Sequence, residues 1–192
     1  MTNKLLLTAA TALFMAACSQ AETPQTVPAP ETPLPTETSG ESLPSMLNAR
    51  GTLTGVDGAE IGSVNLIEGP NGVLLRVTVQ PGSLEPGWHG LHLHAVGTCE
   101  DVGKFTASGG HHGKVEGAHG LLNPKGPEAG DLPNIWVAGD GSAGYEAFTR
   151  LTALDSLLDE DGSAIIIHEA EDDHLTQPIG GAGARVACGV IQ

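Results

Sequence analysis

Positively charged residues are scarce in this chain. Only 8 Lys and Arg stand against 23 Asp and Glu, which gives a formal net charge of −15 at pH 7. This acidity argues against nucleic acid as a partner. Long helical periodicity is also lacking, since only residues 153–158 could form a turn or two of helix. The Ser, His and Asp residues match no recognisable triad signature, so nucleophilic catalysis is not indicated.

The N-terminus predicts export. Residues 1–18 combine Lys4, an apolar run and small residues before Cys18, which is typical of a signal peptide and too short for a stable membrane span. Cys18 follows two alanines and resembles the lipidation cysteine of a bacterial lipoprotein; the alternative is secretion with Cys18 removed. We expect the protein at the periplasmic face of the cell envelope, with lipid at Cys18 as its only membrane attachment.

Residues 19–47 are rich in Pro, Thr and Glu and contain almost nothing large and apolar. Such a segment cannot offset its conformational entropy by burial, so we predict a disordered and fairly extended tether. Residues 48–192 remain, and they are long enough for one domain with a single core.

Cysteine is rare as well, and after Cys18 only Cys99 and Cys188 remain. Two cysteines in an oxidising compartment predict one disulfide, which would tie the middle of the chain to its last strand. The alternative is a pair of thiolate metal ligands, but neither cysteine belongs to a closely spaced pair.

The domain sequence is typical of β structure. Apolar residues alternate with polar ones in short segments separated by Gly, Pro and Asn, at 51–55, 62–66, 73–79, 136–138, 164–168 and 185–190. This spacing predicts a sandwich or barrel. Residues 97–134 show little strand pattern and are rich in Gly, His and Pro. A structureless stretch of that length is usually functional.

Histidines form the most informative pattern. His92 and His94 are two residues apart on a predicted strand and therefore share a face, whereas His89 has the opposite parity. Two such imidazoles make half of a copper site, and His168 at the end of another alternating run would supply a third ligand. We expect His89 to form hydrogen bonds behind the ligands or in the core rather than to bind metal. His174 is expected to be a solvated loop residue.

Four segments together resemble the copper/zinc superoxide dismutases in their bacterial exported form: GLHLH at 90–94, NPKGPEAGDLP at 123–133, IHEAEDD at 167–173 and GGAGARVACGVI at 180–191. The resemblance covers essentially all of residues 48–192. It implies an all-β, Greek-key β-sandwich or flattened barrel, immunoglobulin-like, with long metal-binding and electrostatic loops.

The resemblance also implies which residues hold copper: His92, His94, His111 and His168. It implies that His111 bridges copper to zinc as an imidazolate and manages a proton during turnover. Arg185 is implied to lie beside copper and to guide an anionic substrate. Catalytic roles are therefore expected for Arg185 and His111.

For zinc, the resemblance implies His111, His119 and Asp131 as ligands. His111 is preferred to His112 because it precedes His119 by eight residues, as in relatives. Asp172 is implied to link the two metal sites through hydrogen bonds to ligand histidines.

Glu128 departs from the family pattern, which places a third zinc histidine at this position. A carboxylate can ligate zinc, although it makes the cluster more negative. Three outcomes are open: Glu128 binds zinc, His112 takes its place, or zinc is weakly bound or absent.

The expected function is the conversion of superoxide to dioxygen and hydrogen peroxide by copper redox cycling. The alternative is a copper-binding or copper-buffering lipoprotein on the same scaffold, with weak or no catalysis. Relatives occur as monomers and as homodimers, and the sequence favours neither.

Overall fold

The computed structural model describes residues 46–192. The predicted signal peptide 1–18 with Cys18, and the predicted tether 19–47 except for its last two residues, lie outside the described residues. Among residues 46–192, no helix is long and apolar enough to cross a membrane.

Nine strands make up most of the regular structure: β1 (Asn48–Gly55), β2 (Glu60–Gly69), β3 (Gly72–Val79), β4 (Gly87–His89), β5 (Leu91–His94), β6 (Ile135–Val137), β7 (Ala143–Thr149), β8 (Ser163–His168) and β9 (Arg185–Ile191). Helical structure in the described residues is limited to one 3₁₀ turn, Thr106–Ser108, and one short helix, α1 (Leu154–Leu157). The predicted all-β class is confirmed.

Seven strands form one sheet in the order β5-β8-β9-β1-β2-β3-β7, and β4 pairs with β6 in a second, small sheet. The pairs along the large sheet are antiparallel. Alternation places one face of each strand in the core, as in β3, where Val73, Leu75, Val77 and Val79 are buried. Burial of these apolar side chains is the main stabilising contribution, at about 1.5–3 kcal/mol for each.

Strand β8 is buried on both faces. Ile165 and Ile167 pack in the main core, whereas Ala164 and Ile166 pack on the opposite face against Phe105 of the long loop. A strand covered on both sides reads as a continuous apolar run, which is why residues 164–167 are all apolar. His168 ends this strand on the face that the loop covers.

The long loop, residues 95–134, is fastened to the outer edge of β5. The Leu93 N–H donates to Gly130 O at 2.9 Å, and Leu93 O accepts from the His112 N–H at 2.8 Å. The predicted Cys99–Cys188 disulfide adds a covalent link to β9, closing a separation of 89 residues. On the chain-entropy model a closure of this length contributes roughly 4 kcal/mol. The loop is therefore held at both the sheet edge and the last strand.

Strand β7 was not predicted from the sequence. Exposed positions alternate with buried or half-buried ones along it, but the exposed Phe148 interrupts the apolar and polar alternation of its sequence. It forms because all seven of its residues pair in register with β3, from Ala143 opposite Val79 to Thr149 opposite Val73.

Candidate metal centre

Three buried histidines project from two paired strands. His92 and His94 lie on one face of β5, while Leu91 and Leu93 on its other face pack in the core. β5 runs antiparallel to β8, which ends at His168. The His168 ring centroid lies 4.9 Å from that of His92 and 5.9 Å from that of His94. The sheet therefore brings together three side chains that are up to 76 residues apart in the sequence (168 minus 92).

The long loop brings His111 and His119 to the same place. The His111 ring centroid lies 4.2 Å from His92, 5.2 Å from His94 and 5.1 Å from His119. One nitrogen from each ring of the expected copper set lies within 4.8 Å of the others: His92, His94, His111 and His168. All four rings are buried.

In the rings of His94 and His168, a hydrogen bond to a backbone carbonyl engages one nitrogen and leaves the other without a protein partner. His94 Nδ1 lies 3.0 Å from Gly109 O, and His168 Nδ1 lies 3.2 Å from Gly183 O. Because a carbonyl oxygen only accepts, both Nδ1 atoms carry the proton. In the four rings of this set, five buried nitrogens then have no hydrogen-bond partner among the described residues: His92 Nδ1, His94 Nε2, His168 Nε2 and both nitrogens of His111. Buried polar atoms are rarely left unpaired, and converging neutral imidazoles are a donor set that suits copper.

Burial keeps these imidazoles in the form that can bind metal. Burial lowers the pKa of His92 to about 4, although the hydrogen bond to Asp172 opposes this. Burial, reinforced by the nearby Arg185 charge, lowers the pKa of His94 to about 2. Burial also lowers the pKa of His168 to about 3. At neutral pH all three rings are neutral, so each has one N–H and one nitrogen with a free lone pair.

A second set of donors meets on the other side of His111. His111 Nδ1 lies 2.9 Å from Glu128 Oε2 and 3.2 Å from Asp131 Oδ1, and His119 Nδ1 lies 2.8 Å from Asp131 Oδ1. His111 Nδ1 nevertheless has no properly directed hydrogen bond within residues 46–192. One atom each from His111, His119, Asp131 and His92 lies within 4.8 Å of the others, and Glu128 adjoins this group through His111. Imidazole nitrogens and carboxylate oxygens are ligands that zinc accepts.

Backbone N–H groups orient the two carboxylates. Glu128 Oε1 accepts from the Val115 N–H at 3.0 Å. Asp131 Oδ2 accepts from the N–H groups of Gly120 at 2.7 Å and Glu128 at 2.9 Å. One oxygen of each carboxylate is thus engaged, and the other oxygen faces the imidazoles.

The protonation preferences of this second set follow from its charges. Burial alone would lower the pKa of His119, but hydrogen bonds to Asp131 and Asp172 outweigh it and raise the pKa to about 9. Burial alone would raise the pKa of Asp131, but its contacts with His111 and His119 hold it well below the usual range. The ionised Asp131 carboxylate, buried beside these rings, requires a positive partner, either a proton on an imidazole or a cation.

His112 points away from both donor sets. Its Nε2 lies 3.0 Å from Thr152 Oγ1 and 3.3 Å from Ser156 Oγ. Of the two residues considered for the fourth position of the second set, Glu128 faces His111 and His112 does not.

Asp172 joins the two donor sets. Its Oδ2 lies 2.7 Å from His92 Nε2, and its Oδ1 lies 3.3 Å from His119 Nε2. Burial would raise the pKa of Asp172, but the hydrogen bonds with His119 and His92 hold it far below its usual range. The carboxylate is therefore ionised and accepts a proton-bearing nitrogen from one ring of each set.

Arg185 lies opposite His168 in the pairing of β8 with β9. Its guanidinium donates to three groups of the long loop: Phe105 O, Ser108 Oγ at 2.9 Å and Gly109 O at 2.7 Å. Because Gly109 O also binds His94 Nδ1, one carbonyl connects the guanidinium to a histidine of the first set. The cation is fixed at the edge of the site.

His89 is buried behind the site, and its ring contacts backbone carbonyl groups rather than a side chain of either donor set. Its Nδ1 lies 2.8 Å from His168 O, and its Nε2 lies 2.8 Å from Glu85 O. A carbonyl oxygen accepts, so the ring N–H donates to one of these two carbonyls. His89 therefore holds the backbone of His168 in place, in agreement with its expected hydrogen-bonding role.

Three residues near the site were missed from the sequence or misjudged. Asn134 hydrogen-bonds to the backbone of Asp172. Gln177 accepts from the His119 N–H at 3.2 Å and donates to His119 O at 2.8 Å. His174, expected to be solvated, has a side chain that is only 18% exposed and faces Asp172. Contacts between two loops have no periodic signal, so the sequence could not indicate them.

Two adjacent groups of buried side chains that could each hold a metal ion, on an antiparallel β scaffold, are the arrangement expected of a dinuclear metalloprotein. The family description "copper/zinc superoxide dismutase" matches residues 60–191. The superoxide dismutase [Cu-Zn] of Caulobacter vibrioides is 48% identical over 143 residues, covering 71% of this chain and 80% of that protein. The chain belongs to the copper/zinc superoxide dismutase family.

Other relatives agree. A superoxide dismutase [Cu-Zn] of Aquifex aeolicus is 37% identical over 152 residues, covering 76% of this chain and 87% of that protein. The crystal structure of a double mutant of a SOD-like protein from Bacillus subtilis matches with a TM-score of 0.68 and 38% identity, over 73% of this chain and 95% of that one. The predicted fold class is thereby confirmed.

Proposed function

We propose that this protein is a superoxide dismutase with copper and zinc as cofactors, and that its catalytic centre is formed by the two donor sets around His111. The observation that supports this best is the convergence of buried nitrogens that lack protein partners, from β5, β8 and the long loop. A protein that needed these histidines only for packing would pair them with one another or with carbonyl groups.

His92 Nδ1, His94 Nε2, His111 Nε2 and His168 Nε2 are the atoms that would hold copper. Copper held there would supply the redox chemistry by which one superoxide is oxidised to dioxygen and a second, with two protons, is reduced to hydrogen peroxide. The residues around the site keep three of these imidazoles neutral and fix which nitrogen faces inward.

Zinc would be held by His111 Nδ1, His119 Nδ1, Asp131 Oδ1 and Glu128 Oε2. His111 is then the residue common to both metals, because each of its nitrogens belongs to a different set. With both nitrogens bound to cations the ring would have no N–H proton, so His111 could take up and return a proton during turnover.

Arg185 is proposed to guide the substrate. The chain carries a net charge of −15 and repels an anion at long range. Charges more than about 8 Å away are screened at physiological salt, so the fixed guanidinium near His94 would be an attractive charge for an anion that comes close to the site. Its three hydrogen bonds to the loop prevent it from swinging out into solvent.

The test is reconstitution of the chain with copper and zinc, followed by parallel measurement of metal content and superoxide removal. The unchanged protein should bind both metals and remove superoxide, and His168→Ala should lose copper and activity together. His112→Gln is the matched control, because His112 bonds to Thr152 and Ser156 and not to the donor sets. Copper bound at full occupancy without superoxide removal would favour a copper-buffering role instead.

We further propose export to the periplasmic face and lipid attachment at Cys18. The support is the sequence of residues 1–18, with its apolar run and small residues before the cysteine. Cell fractionation should find the unchanged protein with membranes and Cys18→Ser in soluble or unprocessed form. The same distribution for both proteins would refute the lipid anchor.

A further inference from the structure

Asp172 is held by its backbone as well as by its carboxylate. The Asn134 side chain accepts from the Asp172 N–H through Oδ1 at 3.0 Å and donates from Nδ2 to Asp172 O at 2.8 Å. One carboxamide thus engages both backbone groups of the residue whose carboxylate contacts His92 and His119. Asn134 lies three residues after Asp131, so the contact joins the loop that carries the second donor set to the loop that carries Asp172.

His174 lies against both of these residues. Its backbone N–H donates to Asp172 Oδ1 at 2.6 Å, and its Nε2 lies 3.3 Å from Asn134 Nδ2. Because the amide nitrogen donates, Nε2 accepts, and the ring proton lies on Nδ1. That Nδ1 lies 3.5 Å from Asp172 Oδ2 and has no other partner among residues 46–192. The φ angle of His174 is 60°, a backbone conformation that non-glycine residues rarely adopt.

The far side of the Asp172 carboxylate is closed by backbone. A Cβ added to Gly180 would lie only 1.6 Å from Asp172 Oδ1, and the φ angle of Gly180 is 61°. Only glycine leaves room for the carboxylate and tolerates this conformation. With Gly180 on one side and His174 on the other, Asp172 has one available orientation, which is the one that reaches His92 and His119.

We propose that Asn134 and His174 are positioning residues that hold Asp172 between the two donor sets, so that order in one metal site depends on the other. This inference rests on the proposed function, because it assigns His92 to copper and His119 to zinc. Neither residue touches the metals or the substrate. They act through the carboxylate, whose hydrogen bonds orient one ring of each set.

The test compares Asn134→Ala and Asn134→Asp with the unchanged protein and with Asn65→Ala, which alters an exposed asparagine on β2. Zinc affinity is measured by competition with a chelator, and the copper environment by electron paramagnetic resonance of the Cu(II) form. Removal of such an outer partner typically weakens metal binding 10–100-fold. We expect a zinc loss of this size in both Asn134 variants, with a changed copper spectrum in each, and neither effect in Asn65→Ala.

The Asn134→Asp variant distinguishes a positioning role of Asn134 from a role in packing alone. It keeps the size of the side chain but places an oxygen against Asp172 O and His174 Nε2, so it should lose zinc at least as readily as Asn134→Ala. A role in packing alone predicts that Asn134→Asp behaves as the unchanged protein does. His174→Ala should show a smaller loss of the same kind, because the His174 backbone N–H remains.

The outcomes separate this proposal from the proposed function. If Asp172→Ala weakens zinc and changes the copper spectrum while both Asn134 variants stay within twofold of the unchanged protein, the positioning role is overturned and the metal assignment stands. If the unchanged protein binds no zinc, the metal assignment fails and the positioning role fails with it. Thermal unfolding of the metal-free variants shows whether each is folded.

Discussion

Glu128 provides the sharpest test of the second metal site. It is 3% exposed, its Oε1 is held by the Val115 N–H at 3.0 Å, and its Oε2 lies 2.9 Å from His111 Nδ1. If it is the fourth zinc ligand, then Glu128→Ala removes one donor from four and leaves the other three in place.

The size of the effect can be estimated from the number of ligands. Structural zinc sites with four protein ligands bind with about 10–16 kcal/mol, so an equal share for one ligand is about 3 kcal/mol, or roughly 100-fold in affinity. Glu128→Ala should therefore weaken zinc by roughly that factor. Glu128→His restores a fourth donor without the extra negative charge and should bind zinc more tightly than the unchanged protein while keeping superoxide removal.

The assay is zinc content after dialysis together with the rate of zinc transfer to a chelator, at constant copper loading. Glu116→Ala is the matched control, because Glu116 is an exposed glutamate of the same loop. Equal zinc content and equal chelator resistance in the unchanged protein, Glu128→Ala and Glu128→His would show that Glu128 is not a ligand.

Two further predictions concern charge. Arg185→Ala should slow superoxide removal by about tenfold or more and flatten the dependence of the rate on ionic strength. Arg150→Ala, which alters an exposed arginine, should change neither. If the rate of Arg185→Ala depended on ionic strength as that of the unchanged protein does, the guiding role would be contradicted. The metal-free protein should lose stability as the pH falls from 6.5 to 5. Over this range His94 and His168 accept a proton only when the chain unfolds, since burial lowers their folded pKa values to about 2 and about 3. Each contributes a loss of about 2 kcal/mol, and a urea midpoint that does not fall would refute this.

Much of the first donor set follows from sequence alone. Parity on a strand predicted that His92 and His94 share a face, and the apolar run before His168 predicted a buried strand that ends in a ligand. Both strands form where expected and pair with each other. The prediction works because a strand fixes side-chain direction with a period of two, whatever surrounds it.

The second donor set and its supports depend on packing that the sequence does not encode locally. The family resemblance drew attention to Glu128, but only the folded backbone, with Val115 as donor, shows which of its oxygens faces His111. Asn134 and His174 contact Asp172 across two loops without regular structure. Strand β7 was missed for a related reason, since its pairing with β3, rather than its own alternation, determines that it forms.

The attachment of the long loop to β5 has a consequence for solubility. In the order of the large sheet, β5 is an outermost strand, and an outermost strand presents free backbone groups that can recruit another chain. Hydrogen bonds from the loop to Leu93 cover that edge. The long loop therefore also prevents the edge of β5 from pairing with a strand of another molecule. If loss of the ions or reduction of the disulfide detached the long loop, the edge of β5 would be exposed and could form β-sheet hydrogen bonds with another molecule.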